Sequence, residues 1–304
     1  MKFKIILFGA DGQLGKALKQ VLSVDFEVST FGKKDLDITN SEEVENVCDK
    51  SRPDFLVNAA AYTAVDHAES ERELALKINS DAVGNLARIA KKIGAKLIHF
   101  STDYVFDGKP QAQTAEAQRA KAGENFAGYL ENDAPNPVNF YGASKLAGEQ
   151  KILESGCDFA IVRTSWLFGD GQNFVKKMLE LAKEKAEIKV VSDQIGCPTF
   201  TEDLAKMTLE IILNCHPESS LCHSRESGNP YKEIFHATNS GATSWANFAR
   251  KIFELKNLPT KVIDIPTSEF PTPARRPRNS ILRNSKLPEM RKWEDALAEY
   301  LQSL

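Results

Sequence analysis

The chain has 304 residues, 42% of them hydrophobic and 27% charged, which admits two domains of about 150 residues each and excludes a disordered or fibrous protein. Thirty-nine Lys and Arg against 42 Asp and Glu leave a formal charge of −3, so no global field draws the chain to nucleic acid or to an anionic membrane. The five cysteines are odd in number and form no CxxC, and no apolar run nears the roughly 18 residues of a membrane span; the expectation is a cytoplasmic globular protein without a disulfide framework.

Residues 3–8 form a near-continuous apolar run, the pattern of a strand buried on both faces. Lys2 and Lys4 ahead of it imitate a signal peptide, but the run is short and Asp11 ends it. A glycine-rich turn leads into a helix near 14–22, then a strand near 27–30. A helix is predicted over 41–50, with Ser41 as N-cap and Val44 and Val47 facing inward. Residues 55–58 read as a buried strand. Residues 75–93 read as a long helix with Leu76, Val83, Leu86, Ile89 and Ala90 on one face, and 96–100 as the next strand. This alternation predicts βαβ units and a parallel sheet.

Between 107 and 138 the strand character is lost. Residues 111–122, rich in Ala, Gln, Lys and Glu, read as a surface helix in an insertion, with a lid over a site as the sharper reading. Helices are predicted at 141–153, 174–186, 201–213, 245–255 and 293–304, and strands at 159–163 and 188–191. Residues 214–230 read as a second loop insertion. The stretch 259–288 carries six prolines and is expected to wrap the molecule rather than enter a sheet.

Three motifs carry chemistry. In Gly9-Ala10-Asp11-Gly12-Gln13-Leu14-Gly15, glycines at the first strand-to-helix turn let a pyrophosphate approach the helix N-terminus, where unpaired N–H groups favour negative charge. An NAD-specific site would place an acid at the end of the second strand. Here that strand runs into Thr30-Phe31-Gly32-Lys33-Lys34, and a lysine suits a 2′-phosphate, which favours NADPH or use of both cofactors. In Tyr141-Gly142-Ala143-Ser144-Lys145, the phenol and the amine share one helical face. A nearby ammonium is expected to lower the phenol pKa, so that Tyr141 gives a proton to a carbonyl oxygen as hydride arrives, while Lys145 also holds the nicotinamide ribose. In 101–108 (STDYVFDG), a hydroxyl at a strand's carboxyl end can polarise the reacting carbonyl; Thr102 is preferred over Ser101.

The GxxGxxG spacing and the Thr102, Tyr141 and Lys145 set resemble the extended branch of the short-chain dehydrogenase/reductase superfamily. The blocks 58–69 (NAAAYTAVDHAE), 101–108, 141–149 (YGASKLAGE), 163–169 (RTSWLFG), 193–199 (DQIGCPT) and 271–282 (PTPARRPRNSIL) sharpen this. In order and over most of the chain, they resemble the dTDP-4-dehydrorhamnose reductase family. The resemblance implies NAD(P)H-dependent reduction of a dTDP-4-keto-6-deoxy sugar to dTDP-L-rhamnose, a donor for bacterial surface polysaccharide. It implies an α/β fold: a Rossmann-like, doubly wound parallel sheet over 1–169, then a smaller substrate-binding domain over 170–304 from which about 187–213 return to the first.

The resemblance also implies roles. Gly12, Gln13, Leu14, Asp37, Ile38, Ala61, Tyr62 and Thr63 would bind NADPH or NADH together with Tyr141 and Lys145, beside Gly9, Gly15 and Lys33, which the turn and the strand end already single out. Thr102 and Asp103 would meet the sugar, with Thr102, Tyr141 and Lys145 catalytic. Trp166 would pack its apolar face on the deoxy methyl group. Arg275 or Arg276, with Arg278 nearby, would grip the diphosphate. The family admits a homodimer and, in some members, Mg2+ at a subunit interface, but no carboxylate cluster here assigns that ion. The two insertions exceed the family pattern. The second contains Cys215-His216 and Cys222-His223, which lack any zinc-finger spacing, so no metal site is assigned. Two other readings stay open: a nucleotide-sugar epimerase or dehydratase that retains NAD, and a non-catalytic regulatory subunit resembling that of methionine adenosyltransferase.

Overall fold

Four consecutive side chains of Lys4–Phe8 (β1), from Ile5 onward, are buried, and their strand has a neighbour on either side. In this computed structural model, which describes residues 2–110, 128–214 and 232–304, β1 pairs in parallel with Glu27–Phe31 (β2) and Phe55–Asn58 (β3). The sheet continues through Lys96–Thr102 (β4) and Asp158–Thr164 (β5), every pairing parallel. The order reverses at β1, between β2 and β3, and the carboxyl ends of β1, β3, β4 and β5 open on one edge. That edge, at a strand-order reversal, is where such sheets bind ligands.

Helices cover both faces. Gln13–Leu22 (α1) and Thr201–Asn214 (α7) share one core with Ile5, Leu7, Val57 and Val162. Ser41–Ser51 (α2), Ala82–Ile93 (α4) and Phe140–Ser155 (α5) share the other with Ile6, Phe8, Leu56 and Leu97. A separate core joins Phe174–Glu184 (α6), Glu187–Val191 (β6), Trp245–Leu255 (α8) and Trp293–Gln302 (α9) around Phe168, Phe248 and Trp293.

Five features depart from the sequence reading. The N-cap of α2 is Asn40, whose side chain accepts from the Glu43 N–H, not Ser41. The long helix begins earlier, as Arg72–Leu76 (α3), and is broken by a π turn at Lys77–Asp81 before α4. The extra residue of that turn shifts the 3.6-residue period, so Leu76 is exposed while Val83, Leu86, Ile89 and Ala90 are buried. The strand Lys232–His236 (β7) was not predicted; its apolar pair Ile234 and Phe235 is too short to signal a strand, yet it pairs with β5 at the edge of the main sheet. The proline-bearing tail also contains a strand, Lys261–Ile265 (β8), which pairs in parallel with β6. Its prolines flank the strand and leave the ladder intact. Consequently, within 187–213, α7 lies on the main sheet while β6 belongs to the smaller core. The predicted helix over 111–122 and the two Cys-His pairs lie outside the described residues.

Candidate active site

The first turn is made by backbone. Gly9 has φ +76°, and a Cβ there would stand 2.5 Å from the Ala60 nitrogen; one on Gly15 would stand 2.1 Å from the Gly9 oxygen. Glycine at both positions lets α1 start directly against β1 and β3. Its N-cap, Gly12, offers no side chain to the first N–H groups, and the first turn holds no acid. Those donors point at the sheet edge, which suits an anion.

The facing side of the cleft is made by side chains. Thr102 ends β4, accepts from the Tyr104 N–H at 3.1 Å and donates to Asp103 Oδ1 at 2.9 Å. Helix α5 is set by Asn139, which caps it by accepting from the Gly142 N–H at 2.8 Å. At Gly148 it presses on the π turn, where a Cβ would stand 2.1 Å from the Asn79 oxygen. Asn79 in turn bonds the backbone N–H and C=O of Tyr62 and the Ser144 hydroxyl. Helix α5 is thereby locked to the loop after β3, with Tyr141 facing the Thr102 hydroxyl. Trp166, after β5, takes a left-handed φ of +47°, rare for a bulky residue, and stacks on Trp245 with ring centroids 3.5 Å apart.

Burial and the Asp103 charge push the Tyr141 phenol up to about 12. Lys145 is pulled down to about 8 by burial, and its amine lies on the Phe100 carbonyl at 2.7 Å and His99 Nε2 at 3.2 Å. No neighbouring ammonium pulls Tyr141 down as expected: Lys145 turns toward the strand beneath it, and burial favours the protonated phenol. Asp103 is raised to about 7, chiefly by burial, with the nearby Ser280 and Thr102 hydroxyls pulling the other way; its buried Oδ2 makes no hydrogen bond of good geometry among the described residues. Thr164 Oγ1 is likewise buried without one. Below the site, the Arg163 fork grips Glu149 at 3.0 and 2.6 Å, with both side chains at most 2% exposed, and Glu149 also takes the Ser101 hydroxyl.

These parts line one cleft of about 430 Å³. Of the residues singled out from sequence, Gly12, Gln13, Leu14, Ala61, Thr63, Thr102, Asp103, Tyr141, Lys145 and Trp166 line it. Gly9 and Gly15 shape its turn from behind. Lys33 and Asp37 are exposed beyond the end of β2, with Ile38 beside them on the core; Asp37 accepts from the Thr39 N–H, which holds its carboxyl low. Tyr62 bonds Glu71 at 2.7 Å. Arg276 is held by both Asp66 oxygens, and Arg275 is exposed. Sequence reasoning missed Thr164, Ser165 and Gln172, which also line the cleft; the block 163–169 contained the first two. It also missed Asp11, whose carboxylate lies over Gly32, 1.8 Å from where a Cβ would stand. An acid does reach the end of β2, supplied by the first turn.

Fold and site together define a Rossmann-like α/β protein of the short-chain dehydrogenase/reductase type. A family model described as the RmlD substrate binding domain matches residues 3–304. The dTDP-4-dehydrorhamnose reductase of Burkholderia thailandensis is 39% identical over 295 residues, 94% of this chain and 92% of that protein. The crystal structure of dTDP-4-dehydrorhamnose reductase from Bacillus anthracis, in complex with NADP, superposes with a TM-score of 0.86 at 40% identity, covering 100% of both chains. That of the Clostridium acetobutylicum enzyme gives 0.86 at 38% identity over 99% of both. The chain belongs to the dTDP-4-dehydrorhamnose reductase family.

Proposed function

We propose that the chain reduces the C4 ketone of dTDP-4-dehydro-L-rhamnose (dTDP-6-deoxy-L-lyxo-4-hexulose) to dTDP-L-rhamnose, with NADPH or NADH, for bacterial surface polysaccharide synthesis. The observation that carries this reading is the placing of Tyr141: a buried phenol that lines one cleft with Thr102, Lys145 and a helix N-terminus built from glycine. The free N–H groups of α1 fit a dinucleotide pyrophosphate, and the unpartnered oxygens of Asp103 and Thr164 fit a hydroxylated ligand. When bound, the nicotinamide supplies the hydride that goes to C4.

The chain's residues supply the rest. A phenol raised to about 12 keeps its proton at neutral pH and releases it only to a stronger base, the oxygen that becomes an alkoxide at C4. Thr102 orients that oxygen and the phenol together, and Asp103 orients Thr102. Lys145 holds the nicotinamide ribose. Trp166 lines the cleft as the apolar contact for the C6 methyl group, and its ring is held by the stack on Trp245 and by Gly196 packed against the indole. Lys33 and Asp11 lie with opposite charges at the adenosine end of the turn. Arg275 is the stronger candidate for the diphosphate, because Arg276 reaches it only by leaving Asp66. The test is nicotinamide absorbance with purified protein, NADPH or NADH, and the dTDP-4-keto sugar made in situ. Oxidation of the cofactor with formation of dTDP-L-rhamnose supports the reading, and no turnover with either cofactor overturns it.

A further inference from the structure

A Rossmann-like sheet that binds NAD places, at the end of its second strand, the acid that holds the adenosine ribose 2′-hydroxyl. Here β2 ends at Phe31 and runs into Gly32, and neither can serve. The chain fills that place from the neighbouring strand. Phe8 of β1 stands opposite Phe31 in the parallel register, and the Phe31 carbonyl accepts from the N–H groups of both Gly9 and Ala10, at 2.9 and 3.1 Å. The glycine turn is thereby tied to the end of β2, and the next residue, Asp11, lies against Gly32. Gly32 is buried and Asp11 is exposed. The φ of Gly32 lies outside the left-handed region, so the backbone does not require glycine there. What requires it is space: the three atoms nearest to a Cβ on Gly32 all belong to the Asp11 carboxyl group. That carboxylate has no task in the fold. Asp11 precedes the N-cap Gly12, and no side chain caps α1. Among the described residues the Asp11 carboxylate has no hydrogen-bond or ion-pair partner.

We propose that Asp11 replaces the missing strand-end acid and determines the choice of cofactor: its carboxylate accepts from the adenosine ribose 2′-hydroxyl of NADH and repels the 2′-phosphate of NADPH. The proposal rests on the dinucleotide-binding part of the reductase reading. A ribose hydroxyl can donate to a carboxylate. A phosphate monoester carries about two negative charges at neutral pH and offers mainly acceptors. Asp11 therefore attracts one cofactor and opposes the other, the two means by which a site discriminates. The neighbouring charges do not cancel it. Asp35 is occupied in accepting from the Gly32 N–H at 2.8 Å. Lys33 acts on the carboxyl of Asp37, and Lys34 is exposed. The two lysines offset part of the repulsion, so NADPH is admitted, and NADH binds at least as tightly.

The test is calorimetric titration of the full chain with NADH and with NADPH, in the absence of sugar, so that no turnover is needed. Asp11→Asn keeps the shape and an acceptor oxygen but removes the charge. It should tighten NADPH and leave NADH little changed, moving the ratio of the two dissociation constants about tenfold toward NADPH. ADP-ribose and its 2′-phosphate, which lack the nicotinamide, should show the same shift and so locate the effect at the adenosine ribose. Gly32→Ala alters no charge, but its Cβ takes the place of the Asp11 carboxyl group. It should move the ratio in the same direction. If Asp11 serves only the fold of the turn, both cofactors weaken together and the ratio stays put, which overturns the proposal. NADPH binding about tenfold tighter than NADH in the unmodified chain overturns it as well. Binding of neither dinucleotide overturns the reductase reading and this proposal with it, whereas an unmoved ratio overturns this proposal alone.

Discussion

The two halves of the cleft are built from different materials. The half assigned to the cofactor is backbone and small residues: the Gly9–Gly15 turn, the free N–H groups of α1 and the alanines after β3. The half assigned to the sugar is polar and aromatic side chains: Thr102, Asp103, Tyr141 and Trp166, braced by His99, Glu149 and Arg163. Backbone donors keep their charge pattern at any pH. Buried titratable groups do not, and their protonation is set by what surrounds them. The first half is therefore a fixed electrostatic mould and the second a tunable one.

Five measurements break or sharpen that contrast. Tyr141→Phe removes the proton donor, and kcat is expected to fall roughly 10²–10⁴-fold with dinucleotide affinity preserved in calorimetry; turnover near the unmodified rate would end the assignment. Glu149→Gln leaves a buried guanidinium without its anion. We expect a loss of about 3–5 kcal/mol in urea unfolding, and a loss under about 1 kcal/mol would show that the brace is dispensable. Gly15→Ala forces a Cβ onto the Gly9 carbonyl, with an expected cost of about 1–3 kcal/mol and weaker dinucleotide binding; unchanged binding would mean that the turn tolerates distortion.

The remaining two measurements concern charge. The Asp103 carboxyl is raised from 3.8 to about 7 on folding, so between those values the folded state keeps a proton that the unfolded chain has lost. Its contribution to stability therefore declines as pH rises through that window and is level above it. Subtracting the Asp103→Asn unfolding profile from that of the unmodified protein should reveal this slope; parallel profiles would refute it. Lys33→Ala should weaken NADPH by about 1 kcal/mol or less, because the residue is exposed, and leave NADH unchanged. Equal loss for both cofactors would show that Lys33 does not read the 2′-phosphate.

The same contrast explains what sequence could reveal. The glycine turn was legible because its function needs particular residue types at fixed spacing beside a strand. Tyr141 and Lys145 were legible because four residues make one helical turn. What Lys145 touches was not, since His99 and the Phe100 carbonyl lie on β4 and meet it only when the sheet is assembled. The strand β7 escaped because Ile234 and Phe235 are a short apolar pair, and β8 because its flanking prolines disguised it. Leu76 was placed inward by a periodicity that the π turn interrupts. Arg276 read as a ligand for a diphosphate because Asp66, its partner, is remote in sequence.

The position of β7 also matters for the order in which the protein can be made. The edge of β5 is covered by a strand that leaves the ribosome only after the chain has started the smaller core, and the face holding Ile5 and Val162 is covered by α7, also made late. At roughly 5–20 residues per second, the nascent sheet spends several seconds with an open β5 edge and an apolar face that α1 covers only in part. A fragment ending at residue 169 would keep both permanently, so it should aggregate or call on chaperones where the full chain does not.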